Sequence, residues 1–219
     1  MDLYPLTHLD GSHTIEAGLC EVGQAGGVHM LKILAILGSP RKGGNTEILL
    51  DEALRGAKDQ GASVEKVVLA DLKISPCMEI YACKKKGICP IKDDMRVLYE
   101  RLDECQRVIL ASPIFFYSVS ATAKAFIDRC QARWARRYVL GQRLTSPLER
   151  RGAFISVGAT SGKRLFEGVR LTVKYFFDAI DMDYTEELLI KGVDEKGEIL
   201  KHPDYLEQAY ELGKRIAVP

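Results

Sequence analysis

A short loop rich in hydrogen-bond donors carries the clearest chemical signal in this 219-residue sequence. Five apolar residues, 33–37, precede the loop, and apolar residues return after it with helical spacing, so the loop joins a buried strand to a helix. The backbone N–H groups of a first helical turn lack partners and attract anions. The loop adds small residues, short side-chain donors and a guanidinium, namely Gly38, Ser39, Arg41, Gly44, Asn45 and Thr46. These features together predict a phosphate-binding site.

Two common nucleotide fingerprints do not match this loop. Its residues fit neither G-x-x-x-x-G-K-[ST] nor G-x-G-x-x-G, which argues against the usual ATP and dinucleotide loops and leaves a mononucleotide phosphate. The structural alternative is a strand-to-helix turn that needs only glycines and an N-cap. That alternative explains the glycines but not Arg41.

A second loop, residues 112–120, contains three consecutive aromatic side chains, Phe115, Phe116 and Tyr117, directly after a predicted buried strand. Aromatic side chains and loop N–H groups can support a flat heteroaromatic ring, and the N–H groups also stabilise negative charge on a reduced ring. The alternative is that Phe115 and Phe116 cap the hydrophobic core. A neighbouring phosphate site favours the ring-binding interpretation.

Alternating strand and helix patterns set the positions of both loops. Strands are predicted at residues 33–37, 63–69, 107–111, 153–157 and 184–190. Helices are predicted directly after the first strand and its loop, at residues 94–104, 121–138 and 165–180, and from Pro203 onward. Short connections between such elements imply a parallel sheet with helices on both faces. In a doubly wound five-stranded sheet of order 2-1-3-4-5, ligands bind outside the carboxyl ends of strands one and three, where both loops lie.

The composition is that of an ordinary soluble α/β protein. Hydrophobic residues make up 47% of the chain, and 31 Lys plus Arg against 30 Asp plus Glu leave a formal net charge of +1. This charge gives no general attraction to nucleic acid or to an anionic membrane. No apolar stretch approaches the roughly 18 residues of a membrane-spanning helix. We therefore expect no nucleic-acid and no membrane partner.

The first 30 residues differ in composition from the rest of the chain. They contain no Lys or Arg and no continuous apolar core, so they resemble neither a secretory signal nor a transit peptide. The histidines of this segment lack the spacing of a metal site. We expect a flexible N-terminal extension over residues 1–30, one domain over residues 31–219 and a cytoplasmic location, with Met30 a candidate for the natural start.

The two loops in this order, followed by Lys124-Ala125-Phe126-Ile127-Asp128-Arg129, resemble the flavodoxin-like NAD(P)H-dependent FMN reductases, and most closely their iron-sulfur flavoprotein branch. The likeness covers about residues 31–216. It implies a flavodoxin-like FMN-binding domain, an FMN cofactor and NAD(P)H as co-substrate. It also implies which residues bind the cofactor. The phosphate would be bound by Ser39, Arg41, Gly44, Asn45 and Thr46. The isoalloxazine ring would be bordered by Pro113, Ile114, Phe115, Phe116 and, in a third loop, Gly158.

A loop rich in Cys and Lys resembles the cluster-binding loop of the iron-sulfur branch but lacks one ligand. The branch pattern is C-x2-C-x2-C-x5-C, and here Cys77, Cys83 and Cys89 keep three positions while Ile80 occupies the second. A four-thiolate cluster loses a ligand, so a metal-free loop is the favoured interpretation. Two alternatives stay open: an iron-sulfur cluster with an outside fourth ligand, and a redox-active thiol pair whose pKa values are lowered by neighbouring lysines.

Two further sequence features have structural interpretations. Cys105 and Cys130 fall on helical faces and are expected to pack as small apolar residues. Between Arg129 and Arg151 there are seven arginines and one acid, Glu149. We expect this segment to form a solvated or subunit-contacting surface, with contact to a pyridine-nucleotide phosphate as the functional alternative.

The predicted function is that of an FMN-dependent oxidoreductase. NAD(P)H gives a hydride to FMN, and electrons then pass to a quinone, a free flavin or a redox protein. No side chain is assigned as catalytic, because the cofactor supplies the reactivity. The resemblance further implies a homodimer or homotetramer. Two alternatives from other classes are an electron-transfer flavoprotein with little NAD(P)H turnover and a flavin-free interaction module.

Overall fold

Five parallel strands form one sheet in the order β2-β1-β3-β4-β5, which confirms the predicted doubly wound topology. The strands are β1 (Lys32–Leu37), β2 (Ser63–Val68), β3 (Arg107–Ala111), β4 (Arg151–Gly158) and β5 (Asp183–Lys191). The computed structural model describes residues 30–144 and 149–218. Residues 1–29 of the predicted extension therefore lie outside the described residues.

Seven α-helices alternate with these strands in the described segments. They are α1 (Asn45–Asp59), α2 (Cys83–Lys86), α3 (Met95–Glu104), α4 (Ala121–Arg129), α5 (Gln131–Trp134), α6 (Glu167–Ala179) and α7 (Pro203–Ile216). A π-helical turn, Ala135–Val139, continues α5, so the helix predicted over 121–138 is broken into shorter pieces. Short 3-10 helices lie at Leu69–Asp71 and Glu198–Lys201. Within residues 30–144 and 149–218, no helix is both long and apolar enough to cross a bilayer.

Helices cover both faces of the sheet and create two hydrophobic cores. Alternate residues of β1 belong to different cores, with Ala35 facing the α1 and α7 side and Ile36 facing the α3, α4 and α6 side. A strand covered on both faces has to be apolar throughout, which explains the unbroken apolar run that identified β1. Cys105 and Cys130 are buried in the second core, as predicted, and burial raises the pKa of each thiol to about 12.

Two glycines let α1 and α7 cross at very close range. A Cβ atom on Gly213 would overlap the carbonyl oxygen of Ala53, and a Cβ atom on Gly56 would overlap the carbonyl oxygen of Tyr210. Because the donor-rich loop leads directly into α1, this crossing also fixes the position of that loop against the sheet.

We expect Gly213→Ala to lower the free energy of unfolding by about 1–3 kcal/mol, because the added methyl group forces the two helix backbones apart. Urea denaturation followed by circular dichroism measures this loss. Gly162→Ala is the matched control, since no atom lies within 4 Å of the methyl group it would add. Equal destabilisation by both substitutions would contradict the close helix crossing.

Three residues of the arginine-rich segment do not belong to the solvated or subunit-contacting surface that the sequence suggested. Arg129, Arg133 and Arg150 are buried. Arg133 pairs with Asp103 at 2.7 Å, while Arg150 donates to backbone carbonyl oxygens, including that of Cys105 at 2.6 Å. The expectation is wrong for these three residues because their partners lie far away in sequence. Their guanidinium groups hold elements of the fold together and are not presented to a nucleotide phosphate.

Candidate functional site

The donor-rich loop, hereafter the 38–46 loop, leaves β1 in direct contact with β3. The Gly38 N–H donates to the Ala111 carbonyl oxygen at 2.7 Å. A Cβ atom on Gly38 would lie 2.7 Å from the Ala123 Cβ, so a larger residue does not fit at this junction. Gly44 is the N-cap of α1, with φ −83° and ψ 169°, and the cap contains no side-chain hydrogen bond. The first turn of α1 therefore opens toward the loop without a capping side chain.

Several donors at the start of α1 have no protein acceptor. The N–H groups of Asn45, Thr46 and Glu47 make no hydrogen bond to any described residue, and the same holds for the Thr46 hydroxyl group. Ser39 and Thr46 are only 5% and 3% exposed. The Ser39 Oγ accepts the Arg41 N–H at 3.3 Å, which leaves the hydroxyl proton to donate elsewhere. Unpartnered donors and the positive end of the helix dipole together suit a phosphate group.

Glu47 brings a negative charge close to the 38–46 loop. Its carboxylate accepts the Gly43 N–H at 2.7 Å and pairs with Lys66 at 3.1 Å. Although burial opposes ionisation, the Gly43 N–H and the Lys66 ammonium hold the pKa of Glu47 below its ordinary value. The Gly43 N–H is already satisfied, so an anion at this loop has to be bound by the other donors.

Arg41 and Asn45 lie in the predicted loop, but their side chains bind a segment that follows β5. The Arg41 Nη1 donates to the Asp194 carbonyl oxygen at 3.1 Å. The Asn45 Nδ2 donates to the Glu195 carbonyl oxygen at 2.9 Å, and the Asn45 Oδ1 accepts the Ile199 N–H at 3.2 Å. Sequence reasoning missed this segment as part of the site. The pair of glycines that encloses it, at 192 and 197, was the available signal.

The second predicted loop, residues 112–120 and hereafter the aromatic loop, contains a tight two-residue turn. Phe115 and Ser118 exchange backbone hydrogen bonds of 2.9 and 3.0 Å, and Phe116 and Tyr117 between them have φ values of 49° and 62°. Bulky residues with positive φ are strained and occur mainly at functional sites. Phe115 and Tyr117 are half-exposed and Phe116 is fully exposed. These side chains do not cap the core, which removes the structural alternative for this loop.

Pro113, Ile114 and Gly158 form the inner part of the same region. The Ile114 N–H donates to the Val157 carbonyl oxygen at 3.0 Å, which fastens the aromatic loop to β4. Gly158 is buried at the end of β4, and a Cβ atom there would lie 2.6 Å from the Leu165 Cδ2 and 3.7 Å from the Ile114 Cβ. A side chain at position 158 would therefore collide with Leu165 and fill the space next to Ile114 of the aromatic loop.

Two serines link the loops at the carboxyl edge of the sheet. Ser120 is the N-cap of α4, and its hydroxyl group donates to the Gly38 carbonyl oxygen while accepting the Ala123 N–H at 3.2 Å. The Ser156 hydroxyl group donates to the Ser112 carbonyl oxygen at 2.7 Å. The structure therefore brings the two predicted loops side by side. The unpartnered donors of one loop and the exposed aromatic side chains of the other fit the phosphate and the flat ring of FMN.

A cavity of about 950 Å³ lies away from these loops, between the Cys-rich segment, α4 and α6. Its lining includes Cys77, Cys83, Cys89, Trp134 and Tyr175, and none of the predicted cofactor-binding residues. The candidate flavin site is therefore the loop edge of the sheet, and the cavity is a separate feature on the helical face.

The Cys-rich segment, residues 77–90, lacks one of the four cysteines of the cluster-binding pattern. Throughout the described part of the chain, no three His, Cys, Asp or Glu side chains lie where they could hold one metal ion together. Ile80 occupies the place of the missing cysteine and lines the cavity with the three thiols, with 54% of its surface exposed. A cluster in this loop would lack a protein ligand.

The surroundings of Cys83 argue against the thiol-pair hypothesis. Burial, reinforced by the nearby thiols of Cys89 and Cys77, raises the pKa of Cys83 above its ordinary value. Lys84, which was expected to lower it, places its ammonium group over the Tyr81 ring at 4.2 Å. Because the thiolate is the reactive form, this raised pKa gives no support for Cys83 as an activated nucleophile.

We expect anaerobic reconstitution with ferrous iron and sulfide to leave the protein without a cluster, because Ile80 offers no ligand atom. Iron analysis and visible absorption after desalting measure the result. The Ile80→Cys variant restores the four-cysteine spacing and is the matched control. A stoichiometric cluster in the unmodified protein would contradict this prediction.

The chain is similar to a known protein family and to several known proteins. A family model described as NADPH-dependent FMN reductase matches residues 31–185. An iron-sulfur flavoprotein of Methanocaldococcus jannaschii is 32% identical over 193 residues, which cover 85% of this chain and 96% of that protein. An iron-sulfur flavoprotein of Archaeoglobus fulgidus is 44% identical over 99 residues, 45% of either chain. The structure of an NAD(P)H:quinone oxidoreductase from Methanothermobacter marburgensis superposes on this chain with a TM-score of 0.69 and a sequence identity of 14%. The superposition covers 87% of this chain and 98% of the other, so the two proteins share a fold.

The matched region includes the 38–46 loop, the aromatic loop and Gly158, and it ends before the segment that follows β5. The relative from Methanocaldococcus jannaschii extends the likeness to most of the chain. The resemblance inferred from the sequence is confirmed: the chain belongs to the NADPH-dependent FMN reductase family and is an FMN-dependent oxidoreductase that uses NAD(P)H.

Proposed function

We propose that the protein binds FMN at the carboxyl edge of β1, β3 and β4 and transfers electrons from NAD(P)H to a small planar acceptor, a quinone or a free flavin. One observation carries the proposal. The hydroxyl group of Ser120 joins the 38–46 loop, which carries the unpartnered donors, directly to the loop that carries the exposed aromatic turn at Phe116 and Tyr117.

The FMN phosphate is held by the 38–46 loop. The hydroxyl groups of Ser39 and Thr46 and the first-turn N–H groups of α1 donate to its oxygens, and Arg41 adds positive charge. Asn45 positions the loop by binding the segment after β5. Gly44 keeps the N-cap free of a side chain that would compete for the same space. These interactions orient the cofactor, and the residues that make them take no part in electron transfer.

The isoalloxazine ring lies beside Pro113, Ile114, Phe115 and Phe116, and Gly158 leaves room for its other edge. FMN, when bound, supplies the ability to accept a hydride from NAD(P)H and to pass electrons on. The protein needs no Ser-His-Asp or paired-carboxylate arrangement for this chemistry. Its residues hold the ring and leave one side open to solvent, where nicotinamide and acceptor bind in turn.

The openness of the aromatic turn supports a small planar acceptor. Phe116 is fully exposed and Phe115 half-exposed, so a flat molecule can reach the ring position without displacing a buried side chain. The name of the quinone oxidoreductase with the same fold points to the same class of acceptor. A redox protein is the second candidate, and it would make the chain an electron-transfer flavoprotein.

The test is anaerobic reduction of the FMN-loaded protein by NADH and by NADPH, followed by stopped-flow mixing with a soluble benzoquinone or free flavin. We expect flavin bleaching by at least one nicotinamide and rapid reoxidation by the planar acceptor. Slow nicotinamide oxidation with a stable one-electron state would favour the electron carrier. Protein that fails to bind added FMN would overturn the proposal and favour an interaction module.

The domain limits and the oligomer are part of the same proposal. Residues 31–219 form the FMN-binding domain and residues 1–30 an extension outside it. The chain assembles as a homodimer or homotetramer with the flavin near a subunit boundary. Light scattering of the FMN-loaded protein measures the mass, and a monomer would contradict the assembly.

A further inference from the structure

The segment after β5 forms a rigid turn at the edge of the candidate flavin site. We call residues 194–197 the acidic-basic turn, since its sequence is Asp-Glu-Lys-Gly. The Glu198 Oε2 accepts the N–H groups of Asp194 and Glu195 at 2.8 and 2.9 Å, and Gly197 closes the turn with a φ of 77°. Hydrogen bonds from Arg41 to Asp194 and from Asn45 to Glu195 hold this turn against the 38–46 loop. The Ile199 N–H, just beyond the turn, donates to the Asn45 Oδ1.

This attachment places Lys196 over the 38–46 loop. The Lys196 Cε lies 3.5 Å, and its Nζ 3.8 Å, from the position of a Cβ atom on Gly43. The ammonium group therefore lies at the loop although Lys196 is some 150 residues away in sequence. Gly43 has a φ of 64°, and its lack of a side chain leaves the approach to the loop open.

The other lysines near the loop are already paired with carboxylates. Lys42 pairs with Asp71 at 2.9 Å, and Lys66 pairs with Glu47 at 3.1 Å and with Asp51 at 2.7 Å. Across the two described segments, no carboxylate lies within ion-pair distance of Lys196. Lys196 is the lysine at this loop whose charge is not neutralised by a neighbour.

A phosphate monoester needs such a charge here. It carries about −1.5 to −2 charges at neutral pH, and the Glu47 carboxylate adds a further negative charge beside the loop. Arg41 supplies one cation. We propose that Lys196 supplies the second, by closing over the FMN phosphate and making the site selective for FMN over riboflavin. This inference rests on the proposed FMN site.

The test compares the binding of FMN and riboflavin to the apoprotein by fluorescence quenching, for the unmodified protein and for Lys196→Met. We expect the Kd for FMN to rise about tenfold, as for the loss of one charge-assisted hydrogen bond, while the Kd for riboflavin stays within about twofold. The FMN affinity of the variant should also depend less on salt concentration. Lys196→Arg, which keeps the charge, should bind FMN nearly as tightly as the unmodified protein.

Lys174→Met is the matched control, since Lys174 is an exposed lysine on α6 and the substitution removes the same charge. It should change neither Kd. Unchanged FMN binding in Lys196→Met, or equal losses for FMN and riboflavin, would overturn the assignment of Lys196 and leave the flavin site standing. An unmodified protein that binds neither flavin would overturn the proposed function and this inference together.

Discussion

Replacing Asp93 with Asn is expected to lower the free energy of unfolding by about 3–5 kcal/mol, because the change leaves the buried Arg129 guanidinium without its counter-charge. The Arg129 side chain is fully buried and the Asp93 side chain is 8% exposed. Arg129 donates to the two carboxylate oxygens at 2.6 and 3.1 Å, and its Nε is already buried without a partner. Urea unfolding at neutral pH measures the loss.

The same ion pair fastens the Cys-rich segment to α4. The Asp93 carboxylate also accepts the N–H groups of Ser75 and Met95 at 2.9 and 3.2 Å, and Arg129 donates to the Ser75 carbonyl oxygen at 2.9 Å. Both ends of the segment are therefore held by one pair. In the Asp93→Asn variant we also expect faster modification of Cys83 by a thiol reagent, because local opening exposes it.

The stability that Asp93 provides should depend on pH in one direction. Burial opposes its ionisation, but Arg129 and the two backbone N–H groups hold the pKa of Asp93 below its ordinary value of 3.8. A lowered pKa in the folded state means that the contribution is complete above about pH 4 and is lost as the pH falls through the folded value. The difference in unfolding free energy between the unmodified protein and Asp93→Asn should shrink below pH 4.

A double substitution separates the stranded charge from simple loss of contacts. Asp93→Asn with Arg129→Met removes both charges, so the double variant should be more stable than Asp93→Asn alone. A single variant that loses less than about 1 kcal/mol, or a double variant that loses the sum of both single effects, would contradict the interpretation of a buried pair.

The sheet could be predicted from the sequence because its signals are local. The apolar run at 33–37 and the helical spacing after it identify β1 and α1 without knowledge of any distant residue. Strand order follows from short connections and the rules for parallel sheets, and with it the meeting of the 38–46 loop and the aromatic loop. The observed ends of the strands differ from the predicted ends by at most two residues, and both ends of β3 coincide.

Side-chain partners could not be predicted in the same way. Asn45 looked like a phosphate donor because short polar residues at helix starts often are, but its amide binds Glu195 and Ile199, about 150 residues later. Arg133 looked solvated because its neighbours in sequence include few acids, but Asp103 neutralises it from another helix. Each residue type was compatible with two environments, and only the tertiary structure selects one of them.

The strained aromatic turn shows the same limit for the backbone. A two-residue turn with positive φ at both positions normally contains Asn or Gly, and here Phe116 and Tyr117 occupy it. Propensity therefore argues against the turn that forms. The surrounding hydrogen bonds of Phe115 and Ser118 impose it, and the exposed rings that result are the part of the site least expected from turn chemistry.

Removing the two loop hydroxyl groups by Ser39→Ala with Thr46→Val should weaken FMN binding at least about a hundredfold. A hydrogen bond to a charged group contributes about 1.5–3 kcal/mol, and two of them are lost to the phosphate. Both substitutions are close in shape and lie in nearly buried positions, so the fold and the backbone N–H groups should remain in place. Titration of the apoprotein with FMN, followed by flavin fluorescence, measures the change.

Riboflavin distinguishes the phosphate contact from damage to the ring site. It carries the same ring without the phosphate, so its affinity for the double variant should stay within about twofold of the unmodified protein if the two hydroxyl groups bind only phosphate. Thr172→Val is the matched control: its hydroxyl group donates to the Gly168 carbonyl oxygen within α6, and its loss should leave FMN binding unchanged. If FMN and riboflavin lose affinity equally, Ser39 and Thr46 shape the loop without contacting the phosphate, and the donors at the start of α1 would have to bind a different anion.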